Sequence, residues 1–68
     1  MMDITTKLKP HVKEIQADVT GDDVELKKHA AAIINLHGLH VKCPGDPAAP
    51  ALCEAAFDEW KAARAARA

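Results

Sequence analysis

Residues 21–38, GDDVELKKHAAAIINLHG, decide the fold class. Asp22 followed three residues later by Glu25 has the spacing of a capping box, with Asp in the place more often taken by Ser or Thr, and so marks a helix start. Beyond it Leu26, Ala30, Ile33, Ile34 and His37 recur at helical spacing and share one face. Gly38 stands just past the last periodic residue. The stretch therefore predicts a helix over 23–37, stopped by Gly38 in the left-handed conformation, with Leu39 folded back onto Ile34 in a Schellman ending.

Both flanks read the same way. Upstream, Leu8, Val12, Ile15 and Val19 lie on one helical face and predict a helix over 7–19. With Thr6 as its N-cap, Pro10 falls in the first turn, where backbone N–H groups have no helical partner, and Thr20-Gly21 supplies the stop. Downstream, Asp46 then Pro47 reads as an N-cap followed by proline at the first helical position, with Pro50 tolerable in the same turn. A helix over 47–66 follows, with Leu52, Ala56, Trp60 and Ala63 on one face and Cys53 and Phe57 beside it. Arg64 lies one turn beyond Trp60 and can cover its ring, while Lys61, Arg64 and Arg67 complement the negative end of the helix dipole. The Ala-Arg tail is expected to fray. No internal repeat, β-branched run or Asn-Gly or Asp-Gly hairpin signal competes with this reading. The expectation is an all-α, three-helix domain spanning 1–68.

Composition makes that domain marginal. Of 33 apolar residues in the 68, 14 are Ala and only 17 are large. A chain this short buries only about 60% of its unfolded surface. Ile4, Val24, Leu36, Val41 and part of Phe57 also fall outside the helical stripes. Together these features predict a partner, either a second copy in a homodimer that shares the narrow stripe of the first helix or a larger protein. There is no run of 18 apolar residues, and Met1 to Lys7 lacks the apolar core of a signal peptide. A soluble, cytoplasmic protein with no membrane contact is expected.

Few residues carry catalytic chemistry. The chain has no Ser, and Cys53 near a helix start with scattered His is a weak nucleophile signal. Glu54, Asp58 and Glu59 stand at surface spacing, and three short helices leave no room for a cleft of facing carboxylates. The expectation is a protein that is not an enzyme and holds no cofactor. His37, His40, Cys43 and Cys53 supply the donors zinc prefers, but neither the His pair nor the Cys pair has standard ligand spacing. A Cys43–Cys53 disulfide would close a short loop across the linker, and the simplest reading leaves two thiols acting as small hydrophobes. We expect no metal.

Nucleic acid is disfavoured. Helix-turn-helix domains join their last two helices by three or four residues, whereas the linker from Leu39 to Asp46 is longer and proline-bearing. Net charge is −1, with no basic stretch beyond Lys61, Arg64 and Arg67. Protein binding is the remaining class. Stand-alone chains of this size without catalytic groups are often stoichiometric inhibitors or adaptors, including those made by phages and other mobile elements. The expected function is a small regulator that occludes a surface of a larger target protein. A small DNA-binding regulator is the first alternative and a zinc- or disulfide-stapled adaptor the second. Phe57, Trp60 and Arg64 form the expected contact patch, since large aromatics and Arg dominate interface energetics. The competing reading makes Phe57 and Trp60 the core anchor of the third helix.

Overall fold

Residues 4–67 are described by a computed structural model; in chain order it contains α1 (Ile4–Leu8), a 3-10 turn (Lys9–His11), α2 (Val12–Val19), α3 (Val24–Lys42) and α4 (Ala48–Arg67). Met1 to Asp3, part of the stretch weighed as a leader, lie outside the described residues. The first three elements make one broken limb, so the fold is the expected all-α domain of three helical limbs, with no strand among the described residues.

The first limb starts earlier than the sequence suggested. Ile4 and Leu8 are both buried and four residues apart, so they add a turn to the apolar stripe in front of Val12 and Ile15. Thr6 is consequently an exposed helical residue rather than a cap, and Pro10 falls inside the limb. A proline there has no N–H to donate and crowds the preceding turn, and the chain tightens into the 3-10 turn before resuming as α2. At the end of α2 the Thr20 hydroxyl donates to the carbonyls of Gln16 and Ala17, both at 3.2 Å. Gly21 does not take a positive φ.

α3 differs from expectation at both ends. Its N-cap is Asp23, not Asp22: the backbone is extended there, and a carboxylate oxygen accepts from the Leu26 N–H at 3.2 Å. Two adjacent Asp residues cap equally well in principle, and Arg67, bound to Asp23 from α4, breaks the tie. At the other end the helix runs through Gly38 to Lys42, with Gly38 in ordinary helical backbone. No strong breaker occurs before Pro44, which disfavours helix at Cys43; the Cys43 N–H closes the helix on the Leu39 carbonyl at 2.8 Å. The Schellman contact is therefore absent, and Leu39 and Ile34 both remain exposed.

α4 begins as expected, with an Asp46 carboxylate oxygen accepting from the Ala48 N–H at 2.9 Å. Its buried face is turned by one position from the expected stripe. Ala49, Cys53, Ala56, Phe57, Trp60 and Ala63 face inward, while Leu52 is 54% exposed. Ala30 on α3 and Ala49 and Cys53 on α4 retain no exposure, so small side chains form the closest part of the helix contact. Of the apolar residues left unplaced by the sequence, Ile4 and Phe57 join the core and Leu36 packs against it, whereas Val24 and Val41 stay exposed.

Candidate functional site

The polar side chains of α4 tie the three limbs together. Trp60 is 1% exposed, and its indole N–H donates to Asp18 of α2 at 2.7 Å. The same carboxylate oxygen accepts from Arg64 at 2.8 Å, and the guanidinium lies 5.4 Å above the indole ring and 3.5 Å from Glu14. His11 fits edge-on to Trp60 and tilted to Phe57, with ring centroids 5.7 and 5.3 Å away, and its Nδ1 lies 3.2 Å from Glu14. One turn further along, Arg67 binds Asp23 and Glu25 at the start of α3 and donates to the Ala63 carbonyl at 2.8 Å. That arginine holds the Asp23 carboxyl below its ordinary pKa, with the Leu26 amide assisting, and the two carboxylates raise the Arg67 pKa in return.

This geometry corrects the expected contact patch. Phe57 and Trp60 are core residues, and Arg64 has its charge spent on Asp18 and Glu14, so the three do not form a free surface. The sequence reading was right that Arg64 covers the indole. It missed Asp18, because a carboxylate on α2 gives no signal that it will meet an indole 42 residues away. The tail is not frayed either, since helix continues to Arg67 and that residue is clamped.

His37, His40, Cys43 and Cys53, weighed as an alternative zinc set, are not brought together. His37 and His40 have ring centroids 6.5 Å apart, and the His37 ring pairs with the Thr5 hydroxyl at 3.0 Å. Cys43 is exposed in the α3–α4 linker, whereas Cys53 is buried in the core, where burial raises its thiol pKa and its S–H points to the Ile33 carbonyl at 3.8 Å. Both thiols are free. Among the described residues no three His, Cys, Asp or Glu side chains gather as a metal site.

An apolar groove lies between the first limb and α3. Leu8, Ile15 and Ile33 form the floor of a groove of about 450 Å³. Val12 and Ile34 form its walls and stay 43% and 44% exposed. Gln16, His37 and Gly38 complete it, and none of the lining residues is acidic. The groove is the seam between the first limb and α3 on a side to which α4 contributes no residue, so nothing packs over Val12 and Ile34. Gly38 contributes by lacking a side chain, since a Cβ there would meet nothing within 4 Å. Sequence spacing put Val12 and Ile34 on buried faces; their shared exposure follows from α4 packing elsewhere. Among the described residues no helix is long and apolar enough to cross a membrane. The chain matches no protein-family model, no curated protein and no solved structure.

Proposed function

We propose that this chain is a small, non-enzymatic, protein-binding regulator that acts stoichiometrically by engaging and masking a helical segment of a larger target protein. The observation that carries the reading is the groove between the first limb and α3, whose walls keep Val12 and Ile34 half-exposed above a buried apolar floor. Grooves of this kind receive the apolar face of an amphipathic helix, read as anchors at i, i+3 or i+4 and i+7. A reducing compartment such as the cytoplasm is part of the reading, in keeping with two free thiols. The homodimer expected from composition would draw on the same apolar residues. A two-fold arrangement across this groove would bring together two copies of the exposed Lys9, Lys13 and Lys27, which neighbour its walls in sequence register, and we therefore favour a different protein as occupant.

The test compares wild type with Val12→Lys and Ile34→Lys, both at half-exposed positions where the fold should survive, as checked by circular dichroism. A target captured from cells of the source organism should bind purified wild type in a one-to-one complex and lose at least about tenfold in affinity with either variant, about 1.4 kcal/mol. Equal binding by all three proteins refutes the groove as the site. A concentration-dependent dimer by sedimentation, abolished by the same substitutions, replaces the regulator with self-association.

A further inference from the structure

We infer that the occupant of the groove is an acidic amphipathic helix, one with an apolar ridge flanked by Asp or Glu; this deepens the proposed function and rests on the groove being the binding surface. The argument is the partition of charge, which a net charge of −1 conceals. Glu14, Asp18, Asp23, Glu25 and Glu54 pair with Arg64, Arg67 or Lys7. These pairs are made largely by α4 and by residues facing it. Glu59 meets only the His29 ring, and Asp22, Asp46 and Asp58 have no ion-pair partner among the described residues; none of the carboxylates named lines the groove. Lys9, Lys13, Lys27, Lys28, Lys42 and Lys61 are exposed and have no ion-pair partner among the described residues; Lys61 lies over the Phe57 ring, and Lys9, Lys13 and Lys27 are the ones that concern the groove.

Their register puts them beside the groove. Lys9 and Lys13 stand four residues apart and bracket Val12, one wall of the groove. Along α3, Lys27, Ile34 and Val41 are spaced by seven and so fall on one line, which joins a lysine, the opposite wall and a further exposed apolar residue. Lys42, the next residue, lies about 100° around the helix from that line. The surface presented is thus an apolar trough with ammonium groups beside both walls and no carboxylate in its lining. A partner helix with acidic flanks would match it, gaining both attraction and faster encounter. A lysine- or arginine-flanked helix would be repelled. Duplex DNA would satisfy the lysines but leave Val12 and Ile34 unfilled, and it is the less complete match.

The deciding experiment is a selection on the full chain from a displayed library of helical peptides that share a fixed Leu ridge and carry random flanking residues. The expected winners have acidic flanks, bind about tenfold more tightly at low salt than sequence-matched Lys-flanked peptides, and lose that margin in high salt. Lys13→Glu with Lys27→Glu should cancel or reverse the preference while circular dichroism stays unchanged. Winners with neutral or basic flanks overturn the acidic partner but leave the groove reading intact, provided Ile34→Lys abolishes their binding. No enrichment over the Ile34→Lys protein overturns both. Displacement of the winning peptide by random duplex DNA at matched charge assigns the lysines to nucleic acid and overturns the inference.

Discussion

Replacing Gly38 by Ala separates two descriptions of α3 by sign. A glycine that ends a helix in the left-handed conformation resists alanine, because the Cβ meets the following carbonyl at a cost of about 1 to 2 kcal/mol. Gly38 instead sits inside α3 with no positive φ, and a Cβ built there meets nothing within 4 Å. An added methyl therefore clashes with nothing, and the gain is the helix propensity difference of about 0.8 to 1 kcal/mol. For 68 residues, unfolding entropy of about 2.1 cal/mol/K per residue comes to about 0.14 kcal/mol/K, so Tm should rise by about 6 to 7 °C. Thermal melts followed by circular dichroism at two protein concentrations, with urea titration as the second probe, measure it. Gly21→Ala is the control and should forgo the gain, because its Cβ would come within 3.2 Å of the Ala17 carbonyl oxygen. A fall in Tm for Gly38→Ala would refute the continuous helix and reinstate the glycine stop at residue 38.

Four further measurements test the core, the clamps and the thiols. Trp60→Ala removes the largest fully buried side chain and should cost roughly 3 to 5 kcal/mol, enough to leave so small a domain unfolded by circular dichroism at 25 °C; a folded variant would show that the indole is not the core anchor. Arg64→Ala should cost about 1 to 2 kcal/mol by urea denaturation, more than an ordinary surface arginine, because it strips a partner from a mostly buried Asp18 and uncovers the indole; an unchanged midpoint would mean the ion pair contributes nothing. Because Arg67 lowers the Asp23 pKa, the stability this carboxylate contributes is present above the ordinary carboxylate range and is lost as pH falls through the lowered folded value. Melts from about pH 5 to about pH 2 should therefore fall more steeply in wild type than in Arg67→Ala, and parallel curves would contradict the clamp. A thiol reagent should modify Cys43 at once in the native protein and Cys53 only after unfolding, as exposure and the raised thiol pKa require; failure of both to react without reductant would point to a disulfide.

Periodicity made the three limbs legible because each carries its own local punctuation, above all Asp46 and the acidic pair Asp22-Asp23 ahead of Leu26. Register within α4 was harder. A stripe drawn through large residues favours Leu52, but the real contact with α3 is built on Ala30, Ala49 and Cys53, whose value lies in letting the backbones approach. Hydropathy ranks those residues below Leu and so turns the face by one position. Pro10 and Gly38 misled for a related reason: each is a breaker by type, yet burial of Ile4 and Leu8 extends the first limb past the proline, and α3 simply absorbs the glycine. The groove left no mark in any single segment. It depends on which side of the first limb and α3 is left without α4, and its lysines matter because no carboxylate lines it.

The ties made by Lys7, Trp60 and Arg64 between α4 and the first limb join residues 42 to 47 positions apart, whereas α3 and α4 meet across a linker of a few residues. The α2–α3 and α3–α4 connections are both short, but α4 packs most extensively on α3, and its ties to the first limb close the long loop. The α3–α4 hairpin should therefore assemble early and the first limb should dock fully only afterwards, since a long loop costs more entropy to close. The reverse path has the same order. The first limb is the part that comes away most cheaply, and its amides should exchange with solvent faster than those at the centre of α3. Each such departure would expose Ile33, Phe57 and Trp60 together, giving this small chain a transient apolar face much larger than the groove seen at rest.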